Sequence, residues 1–319
     1  MKVAVGLENC PPKLPFPVLA LGTFDGVHLG HQEVIRRVGQ QARESAGTSV
    51  LMTFYPHPLR ILAPEQAPLM LQTFGQRCAA LQSLGVDFLW VIPFTPDVAR
   101  LSHHEFAENI LCGRLGPQSI CVGRNFHFGS GRKGNFSYLQ HLGAERGFAV
   151  QEVEEKSYHR LPVRSTGIRR LILHGRVRLA GKLLGRPPAL VGAVVHGDRL
   201  GSRLQFPTAN LEPENELIPP AGVYLTVAGF RGRRQPGLTH IGYRPTIRQK
   251  GNPPLRVETH LLDFSGDIYG ARMEVHFLAR LRQEKKFSGL EALQHQIGLD
   301  CRRARRFFAA KGESSSCSL

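Results

Sequence analysis

Gly22-Thr23-Phe24-Asp25-Gly26-Val27-His28-Leu29-Gly30-His31 is the stretch on which the first half of the fold turns. It joins an apolar run at residues 18–22 to an amphipathic run at 31–45, the pattern of a buried strand, a tight turn and a helix. At the start of such a helix the first backbone N–H groups have no partner within the helix and the dipole presents its positive end, so the turn is a natural anion site. His28 and His31, three apart, project to one side of it, and Gly22, Gly26 and Gly30 let the backbone approach a phosphate chain closely. The chemistry this fits is nucleotidyl transfer, in which charge building on an α-phosphate is met by positioned donors with little covalent help. A turn merely shaped by Gly and His is the plainer alternative, and a zinc site lacks a third ligand at a familiar spacing.

Outward from this turn the same alternation continues. Apolar runs at 49–54, 87–94 and 119–122 read as buried strands, and 74–84, 103–111 and 137–146 as helices between them. Strands separated by helices imply βαβ units and a mainly parallel sheet covered on both faces, with ligands at the carboxyl ends of the strands. A helical stretch at 167–184 runs into Gly185-Arg186-Pro187-Pro188, where two prolines stop a helix, so a domain boundary is expected near 186. Beyond it the texture changes to short strands at 191–196, 222–227, 238–241, 257–262 and 273–278, bounded by Gly and Pro, which suits a small antiparallel barrel. Residues 285–310 read as a closing helical element and the Ser-rich 312–319 as a disordered tail.

Three further stretches carry chemistry. Ser165-Thr166-Gly167-Ile168-Arg169 places hydroxyls at a helix start and an arginine within reach of a triphosphate, although alone it is also an ordinary N-cap. Gly129-Ser130-Gly131-Arg132-Lys133-Gly134 matches the letter of a dinucleotide fingerprint, with Glu152 about 20 residues on. The preceding strand ends several residues too early for that, and a Gly-rich loop beside Phe126 and Phe128, able to meet an aromatic ligand and phosphates, is the better reading. In the second half, Thr208 and Asn210 share one face of an extended segment, an arrangement suited to a hydrated Mg²⁺ and its phosphate ligands. Glu258 is an acid in an otherwise apolar strand, for which an outward-facing position on a half-buried strand is the plain explanation.

Composition narrows the classes. Of 319 residues 42% are hydrophobic and 21% charged, which excludes a fibrous or largely disordered chain. Prolines at 11, 12, 15 and 17 and the lack of any apolar run of ~18 residues argue against a signal peptide or membrane span, so the expected location is cytoplasmic. Six scattered cysteines read as free thiols. Lys and Arg number 41 against 25 Asp and Glu, a net +16 that points to anionic partners. The dense clusters, Arg231-Gly232-Arg233-Arg234 and Arg302-Arg303-Ala304-Arg305-Arg306, accompany no recognised nucleic-acid motif. Small phosphate-bearing molecules are therefore the expected partners, with no nucleic acid and no membrane, and the expected state is a monomer or weak homo-oligomer. A basic nucleic-acid-binding protein on a nucleotidyltransferase scaffold is the alternative from another class.

Taken together these residues resemble one family, the prokaryotic bifunctional riboflavin kinase/FMN adenylyltransferases, often called FAD synthetases. Residues 22–31, Thr53-Phe54-Tyr55-Pro56-His57-Pro58, Val122-Gly123-Arg124-Asn125-Phe126-His127-Phe128-Gly129 and 165–169 look like the adenylyltransferase motifs. Phe206-Pro207-Thr208-Ala209-Asn210, Gly222-Val223-Tyr224, Ile241-Gly242-Tyr243-Arg244-Pro245-Thr246 and Glu258-Thr259-His260-Leu261-Leu262-Asp263-Phe264 look like the kinase motifs. The resemblance implies a Rossmann-like α/β nucleotidyltransferase domain over 1–186 and a riboflavin kinase-like antiparallel β-barrel with a closing helix over 187–311. It implies Mg²⁺-dependent phosphorylation of riboflavin by ATP to FMN, then adenylylation of FMN by a second ATP to FAD.

By position, the resemblance makes Glu258 the base of the kinase, Thr208 and Asn210 the Mg²⁺ ligands, and Gly192, Gly197, Arg203 and Pro207 part of the kinase nucleotide site. In the adenylyltransferase, His28, His31 and Arg169 would act on the phosphates, with Gly22, Thr23, Phe24, Asp25, Gly30, Ser165 and Thr166 binding ATP. Asn125, Phe126, Phe128, Pro56 and His57 would bind the flavin. Two departures from the family pattern stand out. Where the pattern runs Gly-Arg-x-Leu-Gly before Phe206-Pro207-Thr208, Gly201 is followed by Ser202-Arg203-Leu204-Gln205, so the expected arginine is displaced by one position and the expected glycine is Gln205, and Arg164 stands where a serine precedes Ser165. The first raises the alternative of an FMN adenylyltransferase with a weakened kinase.

Overall fold

Strand β2 (Pro17–Leu21) is buried at all five positions and forms the spine of the first unit. The computed structural model describes residues 1–10, 13–197, 204–243 and 255–310. By its contacts the chain divides into one unit comprising Met1–Leu69 and Phe74–Arg164 and a second comprising Met70–Thr73 and Ser165–Leu319.

In the first unit, β1 (Lys2–Val5) precedes β2, then follow α1 (Leu29–Glu44), β3 (Thr48–Tyr55), α2 (Leu59–Leu62), α3 (Phe74–Ser83) and β4 (Phe88–Pro93). Next come α4 (Pro96–Arg100), α5 (His103–Glu105) with a π-helical continuation over Phe106–Leu115, β5 (Ser119–Gly123), α6 (Phe136–Arg146) and β6 (Ala149–Val153). The six strands pair in the order β1-β4-β3-β2-β5-β6, and every pairing is parallel. A two-residue-per-strand hairpin, β7 (Ser157–Tyr158) and β8 (Leu161–Pro162), completes the unit. Side chains alternate across the sheet. Leu19, Leu21, Val50, Met52 and Trp90 fill one face. Val18, Ala20 and Leu51 fill the other, against Val34, Ile35, Val38 and Ala42 of α1.

The strand order sets where ligands can enter. From β2 the chain builds outward through β3 and β4 on one side and through β5 and β6 on the other. The crevice of such a sheet lies at the carboxyl ends of the two strands where the order reverses, here β2 and β5. The loops leaving those ends are 22–28 and 124–135, the two Gly-rich segments singled out from sequence.

The second unit holds α7 (Ser165–Leu173), α8 (Val177–Leu184), β9 (Ala189–Val195), β10 (Ala209–Pro213), β11 (Gly222–Phe230), β12 (Arg233–Tyr243), β13 (Leu255–Leu261), β14 (Arg272–Gln283) and α9 (Leu290–Ala310). Its strands close an antiparallel barrel in the order β10-β13-β12-β11-β14-β9. Period-2 alternation places Val257, Thr259 and Leu261 inside and Arg256, Glu258 and His260 outside. Inside, the fully buried hydroxyls of Thr226, Thr239 and Thr259 form a ladder with O–O distances of 2.9 and 3.0 Å. Outside, Cys301, Ala304 and Phe308 of α9 pack on Val223, Leu225 and Leu238.

The other expected elements are present with shifted ends, but the single helix expected over 167–184 is two, α7 and α8, parted at left-handed Gly175, and the structure adds β1, α2, α4, β6, the β7–β8 hairpin and β10. The sequence of β6, Ala-Val-Gln-Glu-Val, is short and mostly exposed at the sheet edge, so it lacks the apolar run that marks its neighbours. The compact units divide at Arg164/Ser165 rather than near 186. Gly185 and the two prolines do end α8, with Gly185 left-handed at φ 75°, but Val177 of that helix already belongs to the barrel core. A helix stop and a packing boundary are different things here. The 312–319 tail lies outside the described residues.

Candidate active sites

The loop after β2 is held in a shape that few sequences adopt. Phe24, Gly26 and Val27 all have left-handed backbone, at φ 47°, 87° and 39°. Phe24 and Val27 pay for that conformation by burying apolar side chains beneath α1, each 1% exposed. Gly22 donates its N–H to the Met52 carbonyl at 3.1 Å, fixing where the loop leaves the sheet. His28 is the N-cap of α1, and its Nδ1 accepts the His31 N–H at 3.3 Å. The two rings stack at 3.7 Å and 15°, with Phe24 edge-on to His31 at 5.4 Å, and Gly30 packs under the His28 ring. No acidic residue occupies the first turn of α1, so nothing in that turn offsets the positive end of its dipole.

Beneath the loop lies a residue that sequence reading missed. Arg77 of α3 is 2% exposed, donates to the Thr23 carbonyl at 2.7 Å, and sits over the rings of Phe74 and Tyr55 at 5.3 and 5.8 Å. Burial pushes its guanidinium below its ordinary range, and buried Asp25 pushes it back up. The one signal for it in the sequence is spacing: three after Phe74 and four before Leu81, Arg77 falls on the apolar face of α3.

The β7–β8 hairpin borders the same helix start. Arg164 and Glu155 clamp its base through two hydrogen bonds, the second at 2.8 Å. Glu155 is held below the usual carboxylate range first by the Arg164 hydrogen bond, then by charge from Arg164, Arg124 and His28. Arg164, at the position where a serine is usual, thus serves the hairpin. Lys156 reaches Glu33 of α1 at 3.5 Å, and the Glu33 carboxyl is held at about 2, chiefly by its hydrogen bond to Arg36.

On the other side of the switch point, Asn125 is exposed and Phe126 is half-buried, stacked on Phe128 at 5.6 Å and 22°. Phe128 is a core residue, 6% exposed and touching Phe106 and Tyr138, so it props Phe126 rather than offering its own face. The 128–134 loop closes on itself through paired Phe128 and Gly134 backbones, and α6 starts beyond it at an Asn135 cap. β5 ends at Gly123 and α6 begins at Phe136, so no helix follows the strand directly as in a dinucleotide fingerprint. His57 accepts the Leu59 N–H at 3.2 Å beside Pro56 at the end of β3. Ser165, Thr166 and Arg169 form the opening turns of α7, which packs with the second unit.

The barrel carries the second site. A cavity of about 310 Å³ opens between its outer face and α9, and Thr208, Asn210 and Glu258 all line it. Pairing register explains the convergence. Asn210 faces Glu258 across β10 and β13, and Glu258 faces His240 across β13 and β12, so the three lie in one row. A Cβ at Gly197 would fall 2.2 Å from the Asn210 amide, so a larger residue there would displace that side chain. Arg256 lies 3.6 Å from Glu258 and Glu284 lies 3.8 Å from His240. Burial pushes the His240 ring below its ordinary value while Glu258 and Glu284 push it back up.

The far end of the cavity is organised by buried Asp300, which accepts from Arg282 at 2.8 Å and from Gln296 at 3.0 Å. Phe206 and Phe287 supply aromatic walls. His260 contacts the Pro207 carbonyl at 2.8 Å, and Gln294 of α9 donates to Leu204 at 3.3 Å, so the 204–208 segment carrying Thr208 is tied at both ends. Gln205 between them is left-handed at φ 67°. Gly192 lies apart from the cavity lining, where the β10 backbone passes within 1.8 Å of a would-be Cβ, and serves strand pairing. Arg203 and Arg244-Pro245-Thr246 lie outside the described residues. His240, Glu284, Arg282 and Asp300 went unnoticed in the sequence, since only the polar position of His240 in an alternating strand marks any of them.

Comparisons with known proteins fall on the same two regions. The FAD synthetase family model matches residues 12–167 and the riboflavin kinase family model residues 184–308. A bifunctional riboflavin kinase/FMN adenylyltransferase of Pseudomonas fluorescens is 38% identical over 309 residues, covering 97% of this chain and 98% of that one. The Bacillus subtilis protein of the same name is 36% identical, covering 92% of each. Among solved structures, one named a macrolide-efflux protein from Streptococcus pneumoniae superposes with a TM-score of 0.85 at 29% identity, covering 95% of this chain and 98% of that chain. Among the described residues of this chain no helix is long and apolar enough to cross a membrane.

Proposed function

The chain belongs to the bifunctional riboflavin kinase/FMN adenylyltransferase family, and from that premise we propose how its residues divide the work. The enzyme phosphorylates riboflavin with ATP to give FMN, then adenylylates FMN with ATP to give FAD and pyrophosphate. Both family matches lie in one chain, so neither a mainly adenylyltransferase protein nor a nucleic-acid-binding one is favoured. The observation that carries the residue assignment is the single row of Asn210, Glu258 and His240 on one cavity, in the same chain as a helix start capped by stacked histidines.

In the kinase reaction the ribityl hydroxyl oxygen bonds to the γ-phosphorus as the bond to the ADP oxygen breaks, and the hydroxyl proton passes to Glu258. Thr208 and Asn210 offer hard oxygen ligands on the same cavity and would hold Mg²⁺, with most of its remaining coordination from ATP phosphates and water. Bound there, the ion would neutralise charge on the phosphates. Gly197, Arg203 and Pro207 are assigned to the nucleotide side by their place in the riboflavin kinase motifs alone.

In the adenylyl transfer an FMN phosphate oxygen bonds to the α-phosphorus of ATP and pyrophosphate leaves. That nucleophile is already an anion, so the site needs no base and works by charge stabilisation. His28, His31 and the N–H groups of α1 meet the phosphates, with Gly22, Thr23, Phe24, Asp25 and Gly30 shaping the loop. Ser165 and Thr166 fall within the FAD synthetase match and, with Arg169, are assigned to ATP binding in that reaction. Asn125, Phe126, Pro56 and His57 face the flavin. On this reading the functional extents are 1–186 and 187–311, although α7 and α8 pack with the barrel.

The enzyme acts on small molecules in the cytoplasm, as a monomer or weak homo-oligomer, without nucleic acid or membrane. The dispersed basic surface supports this; within one dense cluster Arg305 is already paired with Asp263 at 2.8 Å. The deciding experiment supplies riboflavin and Mg-ATP to the purified protein and resolves FMN and FAD by chromatography. Conversion of FMN to FAD that survives Glu258→Ala and fails in His28→Ala supports the division; equal damage to both steps by both substitutions, with folding intact, overturns it.

A further inference from the structure

A buried guanidinium is a poor way to fill space. Arg77 is 2% exposed, and its Nε has no hydrogen-bond partner among the described residues, whereas an apolar side chain of similar volume would leave no such orphan. What the residue does hold is specific. The Thr23 carbonyl accepts from Arg77 Nη1 at 2.7 Å and from Thr53 Oγ1 at 3.3 Å, so it is fixed by two donors from two other elements. The peptide is planar and trans, so a carbonyl drawn onto Arg77 turns the N–H of the next residue, Phe24, to the opposite side of the loop.

Phe24 begins the stretch, left-handed at 24, 26 and 27, that leads into the His28 cap. Successive N–H groups in such a run make a concave anion seat continuous with a helix N-terminus. We propose that Arg77 is a positioning residue for adenylyl transfer: by holding the Thr23 carbonyl it locks this peptide plane, so that the Phe24 N–H is presented to the nucleotide phosphates at the start of α1. Asp25, buried under the same loop, moderates the guanidinium's charge, so the base of the seat is stiff without carrying a fully uncompensated cation. The inference rests on the adenylyltransferase reading of the first unit.

The second activity of the same chain is the control. In full-length protein, R77Q should lower kcat for FMN-to-FAD conversion about 100-fold, the size expected when a reacting group is displaced by about an ångström, while the KM for FMN and the rate of riboflavin phosphorylation stay within about twofold. R77K, which keeps a cation able to reach the carbonyl, should recover at least about tenfold of that loss. T53V, which removes the weaker donor without burying a new polar group, should lower the same kcat about threefold.

R77Q that makes FAD at the wild-type rate, or R77K as impaired as R77Q, overturns the proposal. If R77Q unfolds the first unit, read from the fluorescence of its lone buried Trp90, the other two variants decide. A kcat loss in T53V confined to FAD formation, with R77K impaired by no more than about tenfold, supports positioning, and full activity in T53V overturns it. A wild-type protein that makes no FAD at all would sink the underlying reading instead.

Discussion

In the first unit the proposed phosphate site is ten consecutive residues, 22–31, in which one loop bends into the start of one helix. In the barrel the proposed counterpart is Asn210, Glu258 and His240, brought into one row by the register of β10, β13 and β12, with Thr208 just before β10. The chemistry matches the construction. A phosphate nucleophile needs only positive potential, which a helix start supplies from its own backbone. A hydroxyl nucleophile must lose a proton, so the barrel must bring a carboxylate to a place set by distant residues.

The largest effect that would break this comparison comes from the barrel. Glu258→Ala should lower FMN formation by about 10³-fold, the weight of a general base, and leave supplied FMN converting to FAD at its normal rate. His28→Ala should lower FAD formation by about 100-fold, the loss expected for one stabilising donor, with phosphorylation of riboflavin unchanged. Reciprocal losses, measured by chromatography on the same preparations, sharpen the contrast; cross-effects would erase it.

Two smaller predictions concern how each site is held. Gln205→Gly should stabilise the barrel by about 1 kcal/mol, because a left-handed residue with a Cβ is strained beyond what glycine's looser unfolded chain gives back. Calorimetry reads this directly, and an unchanged or lower transition would show that the loop is not strained. Glu33→Gln should destabilise the first unit by about 0.5 kcal/mol at pH 7, a screened surface effect. Since the folded carboxyl sits at about 2, below the unfolded 4.5, its contribution is complete above pH 4.5 and fades as pH falls toward 2. Urea unfolding followed by Trp90 should show the gap between the two proteins closing over that range.

Legibility followed locality. The run 17–21, buried at every position, and the amphipathic α1 were readable because each segment's own pattern reports its burial. The edge strand β6 was not, since an edge needs little apolar sequence. Thr208 and Asn210 could be paired from a two-residue spacing, but the polar end of the cavity, with Arg282 on Asp300, joins residues 18 apart on a strand and a helix. Phe128 looked like a flavin contact by its place in a motif and is a core residue by its packing.

By itself the sequence determined the two fold classes, the strand–turn–helix anion site and the identities of the groups that could do chemistry, because these depend on periodicity and on residues adjacent in the chain. Tertiary structure alone decided that α7 and α8 pack with the barrel, that Glu258 faces the α9 cavity in a row with Asn210 and His240, and that Arg77 lies under the phosphate loop. The physical reason is that register and burial are set by the sum of contacts from separate elements, and no local stretch of sequence carries that sum.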